Sequence, residues 1–217
     1  MSQDRGGEGL SAMVDPRATA LLIVDVQNDF VHAEGWIGRG GADTSASHAA
    51  AIQIGRLIDA ARRAGALVVY IRTEHGPAVD TAPYRARYAR RGMTPEATLC
   101  HAGTWGSELY TDLRPPEPGE PVLVKHGYDA FSVDALPELL QARSVRNVVV
   151  VGVVTNLCVR ATTFSAFERG FFPVVPQEAT AATEEDIKRR ALQDISDWYG
   201  EIPSIDEVID AWRGSAP

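Results

Sequence analysis

Three side chains in this chain have types and settings that suit covalent chemistry on a carbonyl carbon: Asp25, Lys125 and Cys158. A thiol with an ordinary pKa near 8.5 is only a few per cent ionised at neutral pH, so a nucleophilic cysteine needs a base or a positive neighbour. Asp25 can accept the thiol proton and return it to a departing nitrogen. Lys125 can supply positive charge, and the first turn of a helix at Cys158 would favour an anion there. Taken singly, each residue also fits an ordinary structural role: a packed cysteine, a turn-capping aspartate, a lysine reaching solvent.

The elements that must position them follow from hydrophobic patterning. Short apolar runs fall at Ala20 to Asp25, Leu67 to Arg72, Pro121 to Lys125, Asn147 to Val153 and Phe172 to Val175. Amphipathic stretches separate them, predicting helices at 47–64, 134–142, 155–169, 184–198 and 204–212. Thr155 or Asn156, Thr183 and Ser204 are the expected caps, and Gly65 and Gly170 the expected stops. Between Thr73 and Pro118 lies a long connection rich in Gly, Pro and charge, with a short helix expected near Tyr84 to Arg91; loops of this length are commonly functional.

Strands buried on both faces and alternating with helices predict an α/β three-layer, Rossmann-like fold. Its mainly parallel sheet has five or six strands, with helices on both faces. In such sheets ligands bind at the carboxyl ends of the strands. Asp25, Arg72 and Lys125 end three strands and Cys158 lies just past a fourth, so the acid, the bases and the thiol are expected on one edge. A buried Asp and Lys need each other or a function, which gives the joint placement its weight.

Length and composition fit one domain, residues 17–217, behind a flexible polar leader, 1–16. A formal net charge of −8 disfavours nucleic acid and anionic membrane as partners. No apolar run is long enough to span a bilayer, and the leader lacks a signal-peptide core, so a cytoplasmic protein is expected. Two cysteines make neither a disulfide framework nor a zinc ligand set. The basic run Arg85, Arg87, Arg90 and Arg91 reads as a solvated helix face or subunit contact.

Four segments resemble signature segments of the isochorismatase-like cysteine hydrolases: LLIVDVQNDF (21–30), GTWGSELYTDL (103–113), VLVKHGYDAF (122–131) and VVGVVTNLCVRATTFSAFERGF (150–171). The resemblance covers nearly all of the chain after residue 17. It implies Cys158 as nucleophile, Asp25 as general acid and base, and Lys125 as the positioning and electrostatic residue. It also implies a cis peptide between Val153 and Val154, an oxyanion hole of the Val154 and Cys158 backbone N–H groups, and Phe30 in the substrate pocket. Relatives are commonly dimers or tetramers, so a homodimer or homotetramer is expected.

Departures from the family pattern narrow the substrate. Nicotinamidases carry a metal site of the form Asp-x-His after the second strand; here the stretch is Thr73-Glu74-His75, so no metal and no cofactor is expected. The C-terminal part resembles N-carbamoylsarcosine amidase-type members, which grip a carboxylate through an arginine after the fifth strand. No arginine occurs between Gly170 and Lys188. Gln177 and Thr183 are neutral substitutes, while Arg72 and Arg160 remain open as anion binders. Tyr128, Phe131 and Thr155 complete the expected substrate contacts, with Trp36 and Trp105 as further pocket residues.

The expected activity is therefore a cysteine-dependent amidohydrolase cleaving a C–N bond in a small linear amide, ureido or N-carbamoyl compound. A nicotinamidase-type cyclic amide hydrolase and a non-catalytic family member are the alternatives. Two further rivals are a Cys100–His101 pair acting as a papain-like nucleophile and a nucleotide-binding module using Gly38-Arg39-Gly40-Gly41. Adjacent residues seldom face each other, and that glycine cluster joins no strand directly to a helix.

Overall fold

A computed structural model describes residues 9–94 and 98–214. Six strands form one sheet: β1 (Thr19–Val24), β2 (Leu67–Thr73), β3 (Val122–Lys125), β4 (Asn147–Val153), β5 (Phe172–Val174) and β6 (Thr180–Ala181). The order is β3-β2-β1-β4-β5, with β6 pairing β4 beyond β5, and all these pairings are parallel. The two-residue β6 is too short to stand out in hydrophobic patterning, and it is the sixth strand of the expected five or six.

Alternation along the strands divides the core. Leu21, Ile23, Val68, Tyr70, Val149 and Val151 face one side, where they pack with α4 (Ser45–Ala64) and α9 (Ile205–Arg213). Ala20, Leu22, Val24, Val69, Ile71, Val148 and Val150 face the other, against α6 (Ala135–Ala142), α7 (Arg160–Glu168) and α8 (Glu185–Trp198). Successive strand residues point to opposite faces, so a continuous apolar run is what a strand covered on both sides requires. β1, with all six residues buried, is the clearest case.

The remaining helices are short: α1 (Leu10–Met13), α2 (Asn28–Val31), α3 (Trp36–Arg39) and α5 (Ala82–Ala89). No helix among the described residues is long and apolar enough to cross a membrane. Within the expected leader, Val14 and Pro16 are buried while Gly9, Ser11 and Ala12 are exposed. Val14 is fully buried, its carbonyl accepts from Trp212 Nε1 at 2.7 Å, and Asn147 Nδ2 donates to the Ala12 carbonyl. The rest of the expected leader, 1–8, lies outside the described residues.

Two expected caps are absent. Glu184, not Thr183, heads α8 without a side-chain cap, and Val154 precedes the turn that Thr155 or Asn156 was expected to cap. Ser204 does cap α9, in a capping box with Glu207. Gly65 ends α4 at φ 75°, a left-handed position that glycine takes at little cost.

Candidate active site

The carboxyl ends of β1, β3 and β4 converge. Asp25, one residue past β1, takes φ 55°, an uncommon left-handed value that Asp tolerates better than most residues. Its N–H donates to the Ile71 carbonyl at 2.8 Å, and its carbonyl accepts from the Gln27 N–H. Lys125 closes β3. Strands β1 and β3 flank β2, so the lysine side chain crosses the end of β2, where Thr73 is its register partner. There Nζ donates to Asp25 Oδ2 at 2.7 Å and to the Gly127 carbonyl at 2.7 Å. Both side chains of this pair are fully buried.

Cys158 lies beyond β4 in a π-type turn, Thr155–Val159, that leads into α7. Single π turns of this kind are frequent at functional sites. The peptide between Val153 and Val154 is cis, as the resemblance implies. Gly152, at φ 127°, lets β4 pass against β1: a Cβ there would lie 1.9 Å from the Val24 carbonyl oxygen. The Cys158 thiol is buried and interacts with both the Asp25 carboxylate and the Lys125 ammonium.

Electrostatics assign the resting states. Burial raises the Asp25 carboxyl above the ordinary carboxylate range, and the Lys125 charge only partly offsets this. Burial works against the Lys125 ammonium, but the Asp25 carboxylate and the Cys158 sulfur outweigh it, so Lys125 stays charged. Burial, and then the Asp25 carboxylate, push the Cys158 thiol well up. Burial and the Asp25 carboxylate thus work against the thiolate that a helix start was expected to favour, and Asp25 stands where it can take the thiol proton. Asp25 Oδ1 is buried without a hydrogen-bond partner, a free acceptor at this point.

The other expected site residues separate into two groups. Thr155 is fully buried and its hydroxyl has no partner. Tyr128 follows Gly127 and lines a cavity of about 550 Å3 with Asn156, Leu157, Arg160 and Tyr199. Phe30 is 5% exposed and packs in the core beneath α4, so its surroundings are largely those of a core aromatic. Phe131 lies apart: its ring meets Phe171 at 5.7 Å and the Arg169 guanidinium at 5.1 Å, beyond the far end of α7. Gln177 is exposed in a separate groove with Glu185, Lys188 and Arg189 along α8. Phe131 nonetheless shares one buried apolar cluster with Cys158.

Arg72 is engaged by Glu74 at 2.7 Å and by the Ser107 carbonyl, and Arg160 by Asp194 at 2.8 Å. Trp36 and Trp105 border another cavity with Asp29 and His101. His75 has both ring nitrogens occupied, Nδ1 by Asp80 at 2.7 Å and Nε2 by the Thr73 hydroxyl at 3.3 Å. Cys100 is fully buried and its thiol donates to the Gly106 carbonyl at 3.8 Å, while His101 Nδ1 has no hydrogen-bond partner, so the two do not form a nucleophile–base pair.

Sequence reasoning missed the polar clamp after Asp25. Gln27 Nε2 donates to the Thr73 and Ser107 carbonyls, and Gln27 Oε1 accepts from the Thr73 N–H. Asn28 holds Trp105 and Thr111, and Asp29 accepts from the N–H groups of Cys100 and Trp36. Gly106 is packed so tightly on the Asp29 carboxylate that a Cβ would come within 2.3 Å of it. Three consecutive polar residues, all buried, thus fasten the 98–111 loop beside the strand ends; their position directly after the Asp25 strand was the available signal.

The model of the isochorismatase domain matches residues 19–207. This chain belongs to the isochorismatase family. Curated relatives include a ureidoacrylate amidohydrolase RutB from Methylobacterium radiotolerans, 32% identical over 88% of this chain and 78% of the relative. Another, from Enterobacter sp., is 30% identical over 90% of each chain. Among solved structures, a cysteine hydrolase from Pseudomonas syringae pv. phaseolicola superposes with a TM-score of 0.82 at 25% identity, covering 92% of this chain and 94% of that one. With these relatives, this isochorismatase-family chain is a hydrolase of C–N bonds other than peptide bonds.

Proposed function

We propose that the protein hydrolyses a small linear ureido compound through a thioester on Cys158, with ureidoacrylate the first substrate to try. The observation that carries this reading is the meeting of Asp25, Lys125 and Cys158, supplied by three separate strands, in one buried place. Asp25 takes the thiol proton as sulfur attacks the carbonyl carbon. The developing oxyanion is held by the N–H groups of Val154 and Cys158, the arrangement that gives most electrostatic catalysis of acyl transfer. Collapse breaks the C–N bond, and Asp25 passes its proton to the leaving nitrogen. Water, deprotonated by Asp25, then cleaves the thioester. Lys125 keeps Asp25 in place and keeps positive charge beside the reacting centre throughout.

Phe30, Tyr128 and Thr155 form the wall on this reading, and no metal or other cofactor takes part. Exposed rings at Phe164, Phe167, Phe172 and Trp198 support a homodimer or homotetramer.

The test is an ammonia-release screen over linear amides, ureides and N-carbamoyl compounds, with intact-mass detection of an acyl adduct. Turnover of a ureide by the native protein, lost in Cys158→Ala, is the expected result. Undiminished turnover in that variant removes Cys158 from the reaction.

A further inference from the structure

Four buried side-chain polar atoms among the described residues have no hydrogen-bond partner: Asp25 Oδ1, Thr155 Oγ1, His101 Nδ1 and the Tyr84 hydroxyl. Thr155 belongs to the Cys158 turn, and Asp25 and Tyr84 both interact electrostatically with the Cys158 sulfur. Asp25 and Thr155 are already accounted for by the reaction and its pocket. Tyr84 is not. It comes from α5, inside the long connection after β2, and no feature of the catalytic strands requires it. A buried hydroxyl without a partner has lost its water and gained nothing in return, so its placement calls for a partner that arrives later.

The ring is held firmly. It stacks on His75 with centroids 5.0 Å apart and planes 24° from parallel, and it meets Tyr128 at 5.4 Å. His75 is itself fixed by Asp80 and Thr73. Tyr128 is joined through Gly127 to Lys125 Nζ. Tyr84 thereby rests on the two segments that carry the catalytic lysine and the end of β2. Tyr128 lies beside its hydroxyl without making a hydrogen bond of good geometry. Burial, and then Tyr128 and the Cys158 sulfur, keep the phenol far above its ordinary pKa. It is a neutral O–H group, able to donate to a carbonyl oxygen and accept from an amide N–H.

We propose that Tyr84 is a substrate-positioning residue whose hydroxyl hydrogen-bonds the amide or ureido group presented to Cys158. The proposal rests on Cys158 being the nucleophile, and it deepens that reading by naming a ligand contact outside the family's signature segments. A flat, polar ureido group fits the setting, since it can lie among the rings of Tyr84 and Tyr128 while its N–H and C=O groups meet the unpaired oxygens.

The test compares the native protein with Tyr84→Phe, which keeps the ring and removes only the hydroxyl. With a ureide that the native protein cleaves, KM should rise about tenfold, the worth of one neutral hydrogen bond, with kcat nearly unchanged and thermal stability preserved. An unchanged KM overturns the proposal. A second measurement does not depend on the ureide: alkylation of Cys158 by iodoacetamide, itself a small amide, against methyl methanethiosulfonate, which carries none, both followed by peptide mass. Slowing only with iodoacetamide is expected. Equal slowing with both reagents assigns the effect to the thiol, and slowing with neither removes the contact; either result overturns the proposal. If the native protein cleaves no ureide while iodoacetamide still depends on Tyr84, the ureide reading fails and the Tyr84 contact stands.

Discussion

Among the ion pairs that join distant parts of the described residues, Arg62–Glu120 and Asp25–Lys125 are built for opposite ends. Arg62, near the end of α4, meets Glu120 through two hydrogen bonds at 2.9 and 2.8 Å, and also reaches Glu117, the Tyr70 hydroxyl and the Pro115 carbonyl. Burial raises the Glu120 carboxyl, but the Arg62 hydrogen bonds and the Glu117 N–H overcome it, and its pKa falls below the usual range. Asp25 meets Lys125 through one bond, keeps one oxygen unpaired, and has its pKa raised. A carboxylate with both oxygens held by hydrogen bonds is structural. One left partly unpaired in a drier place remains able to take and give a proton, and that is the mark of a functional group.

The sharpest way to break this comparison is to remove the proton carrier. Asp25→Asn should lower kcat by roughly 10^2- to 10^4-fold, the range for general acid–base catalysis. Near-native turnover would erase the distinction between the two pairs. Lys125→Met, which leaves Asp25 buried alone, should destabilise the protein by about 3–5 kcal/mol in denaturant melts. Adding Asp25→Asn to that variant should recover part of the loss, since no unpaired charge then remains; no recovery would mean that the pair is not the source of the cost. Arg62→Met should cost about 2 kcal/mol while kcat/KM stays at the native value. A fall in kcat/KM there would show that the structural clamp also tunes the site.

The smallest expected effect is the pH dependence, where the two carboxyls act with opposite sign. Asp25 must be ionised to accept the thiol proton, so kcat/KM should fall as pH drops through its raised pKa, above the ordinary value of about 4. An acid limb at or below that value would contradict the raised assignment. For stability, the raised Asp25 favours the fold below its unfolded pKa, and that contribution is lost as pH rises through its folded value. The lowered Glu120 contributes above its unfolded pKa of about 4.3, and this is lost as pH falls through its folded value. Glu120→Gln should therefore flatten the acid arm of a stability-against-pH curve.

Much of the fold was legible because long-period and continuous apolar patterns are read directly by a sheet covered on both faces. β1, β2, β4 and α4 appear within a residue or two of their expected bounds. The meeting of Asp25, Lys125 and Cys158 was legible for a different reason: polar residues at or just past the ends of apolar strands have only one edge to occupy. What was not legible depends on how loops turn. Gln177 followed from its position after the fifth strand, but its side chain lies in an exposed groove beside α8. Phe131 shares a signature segment with Lys125, yet its ring turns to Phe171 instead. Tyr84 gave only an aromatic pair with Tyr88 at helical spacing, and nothing local says which way such a pair faces.

The reach of Lys125 over the end of β2 makes the reactive centre a gauge of assembly. A slip of β3 against β2 by a single residue would carry the ammonium to the wrong face and out of reach of its carboxylate. Product formation during refolding would consequently mark the moment when the outermost strand has docked, and no fragment lacking either half of the chain could supply it.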